Sequence, residues 1–247
     1  MKEADIPYSL TLVAEIYIAM CLLCFLYILI EQRREPAPMM RVMLWVWPIT
    51  MLWAGPLGIW AYRINQKRTM MRMTHHHPAD QPAMRMSGNG MSGMTALPSR
   101  RLPWQSVMVG TLHCGAGCTL ADLAGPWLFR LAPFALFGSV VYGEWTLEYL
   151  LALIAGIAFQ YAGLASGFPE RGLPLLWRAF KVDVLSLTAW QIGMYGWMAV
   201  SMFVLLGMVS PAQPVFWLMM QIGMLAGFMT AFPMNWLLMR LGIKEGM

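Results

Sequence analysis

The chain has 247 residues, 59% hydrophobic and only 12% charged, with a net charge of +5. An ordinary soluble domain is about a quarter charged, so this composition excludes a soluble globular protein with one core. It calls for an all-α, polytopic membrane protein, since each crossing takes about 20 apolar residues as helix with its backbone bonded internally.

Apolar runs fall at residues 9–30, 42–62, 104–124, 127–142, 146–165, 184–208 and 215–239. The first follows two acids, Glu3 and Asp5, and is about twice the length of a signal-peptide core, so it reads as a span. Cys21 and Cys24 inside it form Cys-x-x-C with no polar neighbour to activate a thiol, which suits buried packing. The second run carries a bend at Gly55-Pro56.

Residues 63–103 form a basic loop rich in methionine and histidine. Between Thr69 and Met94 it holds seven methionines and three of the four histidines. A polar Pro/Gly/Ser-rich segment has no core for methionine to fill. His75, His76, His77, Met84, Met86, Met91 and Met94 are therefore candidate metal ligands, because thioether sulfur selects Cu(I) and imidazole suits copper and zinc.

The run 104–124 contains LHCGAGCTLAD, which places His113, Cys114, Cys118 and Asp122 at lipid depth. Thiols four residues apart on a helix can grip one soft ion, with His113 as a further ligand and Asp122 orienting the imidazole from behind. Gly110, Cys114, Gly117, Cys118, Ala121 and Gly125 also make the small-residue stripe that close helix packing selects. Packing does not explain His113 or Asp122, since ionisable groups inside a membrane are costly and mark function.

The charge pattern suggests how this segment lies. If all seven runs cross, lysines and arginines split nine to eight between the faces. If 104–124 enters and leaves by one face, breaking at Gly115 and Gly117, fourteen lie inside and only Arg33, Arg34 and Arg41 outside. The expectation is six transmembrane helices plus one re-entrant or broken segment, with seven crossings as the alternative, both termini being cytoplasmic. Asp183, beside Lys181 at the entrance to run 184–208, reads as a local ion-pair partner or helix cap.

Met194, Met198 and Met202 recur every four residues, with Gln191 in the same stripe. Met220 and Met224 repeat the spacing beside Gln221. Such thioether ladders could pass Cu(I) by ligand exchange, the glutamines supporting them from outside the ligand set; methionine is equally a filler of apolar packing.

The strings HCGAGCTLAD, KVDVLSLTAWQIGMYGWMA and FWLMMQIGML…FPMNWLL resemble an uncharacterised family of bacterial integral-membrane proteins, a domain of unknown function, over about residues 104–247. The resemblance implies helical membrane architecture and no reaction. Three regions follow: a two-helix N-terminal region (1–62), the Met/His-rich loop (63–103) and the family-like domain (104–247). No phosphate loop, dinucleotide fingerprint, Ser-His-Asp pattern or zincin motif is present, which points away from an enzyme.

The functional expectation is a bacterial inner-membrane protein that binds or moves a soft metal ion, copper before others. A copper chaperone or other membrane subunits are its expected partners, besides the bilayer itself. The basic charge suits anionic lipid and not nucleic acid. The alternatives are a thiol–disulfide oxidoreductase using Cys114 and Cys118, or an accessory subunit without activity of its own.

Overall fold

In a computed structural model of the chain, residues 6–34, 42–74, 104–165 and 172–244 are described. Their helices are α1 (Tyr8–Arg34), α2 (Met43–Ala54), α3 (Pro56–Thr74), α4 (Trp104–Leu131), α5 (Val140–Ala165), α6 (Leu173–Val200) and α7 (Pro214–Arg240). A π-helical turn, Ser201–Leu205, continues α6. Four of them, α1, α4, α5 and α7, are long and apolar enough to cross a membrane. Their outward faces present Ile16, Leu23, Ile154 and Met229 to the surroundings.

The run 42–62 is not one bent helix. The indole of Trp47 on α2 meets the ring of Tyr62 on α3 with centroids 5.2 Å apart, whereas a continuous helix would separate the two residues by about 22 Å. Gly55 makes the reversal at φ +50°, a conformation that side chains resist. Pro56 then opens α3, where its missing N–H costs nothing. The hairpin runs alongside α1: the Tyr17 hydroxyl donates to the Trp53 carbonyl at the tip (3.0 Å), and Arg63 donates to the Tyr27 hydroxyl farther along (2.9 Å). Nine of the twelve α2 residues are buried, whereas Pro56 and Leu57 just past the reversal are exposed.

The expected break at Gly115 and Gly117 is absent. α4 runs unbroken through both glycines and through Pro126, and residues 106–119 are buried on every side. A helix covered all round is a central one, and α2, α5, α6 and α7 pack about it. The small residues permit this. A Cβ on Gly117 would lie 2.7 Å from the Gly156 backbone nitrogen of α5, and one on Gly115 would strike the Trp190 ring of α6. Glycine here marks close approach, and neighbours on all sides hold the helix straight.

Residues 127–142 are no span either. They comprise the end of α4, a short connection with a β-bridge between Leu136 and Ser139, and the start of α5. α6 likewise begins eleven residues before the expected run.

Two contacts orient the bundle. Arg130 at the end of α4 donates to Ser210 in the connection that precedes α7 (3.4 Å). At the opposite end the Trp60 and Trp104 rings stack 6.5 Å apart, joining α3 to the start of α4. α2 therefore enters from the end where α4 begins, and α3 returns to it.

Candidate functional site

A line of buried polar side chains runs through the bundle along α4. Asp122 is 1% exposed and neither carboxyl oxygen has a hydrogen-bond partner. Glu148 of α5 lies close enough for the two acids to act on each other, and its side chain fills the space over Gly125. One and two turns back from Asp122, the free thiols of Cys118 and Cys114 are mutual neighbours. The Cys114 thiol also faces Asp183 of α6. Thiols are weak donors, and neither Asp183 oxygen receives a bond of good geometry.

The line ends at Lys244, only 2% exposed. Past the end of α7, Gly242 at φ +70° turns the chain back. The Lys244 ammonium then enters the bundle and donates to Asn235 Oδ1 (2.7 Å) and the Gly110 carbonyl (3.3 Å). Asn235 in turn donates to Ser186 Oγ (2.6 Å). Lys244 bears electrostatically on both Asp183 and His113. The Lys244 ammonium thus shares the buried seam with the carboxyl groups of Asp122, Glu148 and Asp183.

Above this seam opens a cleft lined by Glu144, Trp145, Glu148, Met194, Tyr195, Met198, Met202, Phe216 and Met220. All three methionines of the α6 stripe thus converge with Met220 of α7. The π-helical turn that carries Met202 is a feature found often at functional sites. Met224 lies one turn deeper, in a separate cavity. Gln191 is buried with both amide atoms unpartnered, while Gln221 donates to the Leu52 carbonyl at the hairpin tip (2.7 Å).

His113 stands apart from the thiols. Its ring packs edge-on against Phe159 (6.1 Å) and beside Gly163 of α5, and neither nitrogen makes a bond of good geometry. Nine residues of unbroken helix separate it from Asp122, roughly 13 Å of rise, so Asp122 does not orient it. Asp183 is neither a cap nor a partner of Lys181: it is fully buried within α6, and Lys181 sits over the Trp177 ring (5.2 Å). Among the described residues, no three of His, Cys, Asp and Glu converge as a metal shell. Donors for an ion here are thioethers and the thiol pair. His75, His76, His77, Met84, Met86, Met91 and Met94 lie outside the described residues.

Sequence reasoning passed over Glu148, Gln160, Asn235 and Lys244. A signal for the first two was present: Glu148, Ala152, Gly156 and Gln160 repeat every four residues, followed by Gly163, and all five are buried. That spacing is a helix face, with two polar groups on a side that packs inward.

The family model described as Domain of unknown function (DUF4396) matches residues 103–244. The chain belongs to this family. The DUF4396 region comprises α4 to α7 and reaches Lys244, so the polar seam and the methionine-lined cleft both lie inside it. α1 and the α2–α3 hairpin precede the matched region and cover one side of it. No curated protein and no solved structure matches the chain.

Proposed function

We propose that the protein is a bacterial inner-membrane protein that binds and moves a soft metal ion, with Cu(I) as its preferred cargo. The observation that carries this reading is the convergence of Met194, Met198, Met202 and Met220 with Glu148 on one cleft. Thioethers favour Cu(I) over harder ions, and a carboxylate at the floor supplies the charge that neutral sulfur lacks. Below the cleft, Asp122 leads to the Cys118 and Cys114 thiols, the softer donors. His113 is left to packing, because its ring faces elsewhere.

The membrane arrangement we favour has five crossings, α1, α4, α5, α6 and α7, with the α2–α3 hairpin re-entrant. α6 crosses although its mean hydropathy is low, since its polar residues Asp183, Ser186 and Gln191 are buried inward. Fifteen of the seventeen lysines and arginines then share one face, and only Lys2 and Arg130 lie on the other. The positive-inside rule makes the crowded face cytoplasmic. The C-terminus and residues 75–103 lie there, while the N-terminus and the methionine cleft face outward. This reverses the expectation for the N-terminus and puts sulfur ligands at both ends of the path. In intact cells, a cysteine at Ala212 should react with an impermeant maleimide and one at Ser92 should not. The opposite pattern would refute the arrangement.

Cu(I) affinity, measured by competition with a chromophoric chelator, tests the cargo. Cys114→Ser and Cys118→Ser should each weaken binding about tenfold or more. Met198→Leu with Met220→Leu should weaken a second class of site, because leucine keeps the volume and removes the donor. Both sets should keep the wild-type melting temperature. Unchanged affinity in both would leave these sulfurs as packing and overturn the reading.

A further inference from the structure

A second cavity, of about 260 Å³, lies under the tip of the α2–α3 hairpin. It is bounded by Cys21 and Leu22 of α1, Trp53 of α2, Asp122 of α4 and Gln221 and Met224 of α7, with other mostly apolar side chains completing its walls. The space suits an organic molecule better than a metal ion, which would leave most of it empty. Access is from the side. α1 packs mainly on α2, α7 and α3, and Leu22 on α1 and Leu123 on α4, which both line the cavity, are 49% and 38% exposed.

The unmet hydrogen-bonding groups identify the ligand class. The Trp53 indole N–H lacks an acceptor, and the Asp122 carboxyl and Gln221 Oε1 lack partners. Thr119 already donates to the Gly115 carbonyl (2.8 Å), which leaves its oxygen free to accept. The occupant must therefore accept at one edge and donate at another while remaining apolar across its faces. A lipophilic amine would satisfy Asp122 and leave Trp53 unmet, and an acyl chain would satisfy neither. A ring bearing hydroxyl groups at opposite edges can accept from Trp53 at one and donate to Asp122 or Gln221 at the other, and Trp53 supplies an aromatic wall whose orientation is fixed by edge contact with Trp190 (5.7 Å).

We propose that this cavity binds a lipid-soluble quinol that enters laterally between α1 and α4. The inference needs the chain to sit in a bilayer but does not depend on copper, and it requires no electron transfer. The test is titration of decylubiquinol, with decylubiquinone as the weaker comparison, into nanodisc-embedded protein, read by tryptophan quenching, with a reduced azidoquinone to map the contact. Binding should saturate, and the label should fall on peptides of α1, α4 and α7. Trp53→Phe should weaken binding about tenfold by removing one hydrogen bond. Leu22→Phe, which narrows the gap from its lipid side, should weaken or slow it without lowering the melting temperature. The exposed control Ile154→Ala should change nothing. Non-saturable labelling of outward residues, or equal displacement by a plain fatty alcohol, would mean that the cavity holds only acyl chain and would overturn the proposal. Saturable binding that both variants leave intact would do so too.

Discussion

Gly117→Ala is expected to destabilise the protein by about 3 kcal/mol, although alanine is the better helix former. The added methyl group would stand 2.7 Å from the Gly156 nitrogen and 2.8 Å from its Cα. Backbone cannot rotate away as a side chain can, so α4 and α5 would have to part. Their separation would also loosen Glu148 and Asp122 on the same two helices. Gly196→Ala is the matched control, because nothing lies within 4 Å of its added Cβ; it should be neutral or slightly stabilising. Thermal unfolding of both variants in the same detergent checks this, and equal melting temperatures would contradict the close contact.

Asn235→Leu should be at least as damaging. It removes the acceptor for the Lys244 ammonium at 2.7 Å and the donor to Ser186 at 2.6 Å. Leaving a buried cation short of a partner costs about 3–5 kcal/mol, or on the order of 10 °C in melting temperature for a chain of this size. The double variant Asn235→Leu/Lys244→Met should recover much of the loss, because the orphaned charge leaves with its partner. If the second substitution instead deepens the loss, the ammonium is not what Asn235 holds in place.

How far the sequence reveals this architecture depends on which properties are local. Helicity and apolar character are local, and the long helices follow from them. The methionine stripe is also legible, because spacing on one helix is a local fact; that Met194, Met198 and Met202 face Met220 is tertiary and needs the structure. Residues 42–62 show the limit. Their hydropathy is that of a single span, since composition cannot distinguish one long helix from two halves folded back at Gly55. The reverse error fell on α4, where Gly115 and Gly117 read as a break. Glycine permits a break without causing one, and these two are present because Trp190 and Gly156 come so near.

Lys244 was opaque for another reason. Four residues beyond the end of α7, a lysine near the C-terminus reads as a solvated charge. Its burial depends on the turn at Gly242 and on the Gly110 carbonyl, 134 positions away in sequence. Asp183 was misread for a related reason. Its neighbour Lys181 suggested a local pair, yet two positions on a helix point to different sides, and Asp183 faces the core.

The central claim is that the buried sulfur groups handle a soft ion, and the metal content of the purified full-length chain tests it most directly. Detergent-purified protein, loaded with Cu(I) under reduction and then desalted, should retain about one or more copper ions per chain by mass spectrometry, with silver competing and zinc much weaker. Protein that emerges free of copper after loading, while folded by its melting transition, would contradict the account.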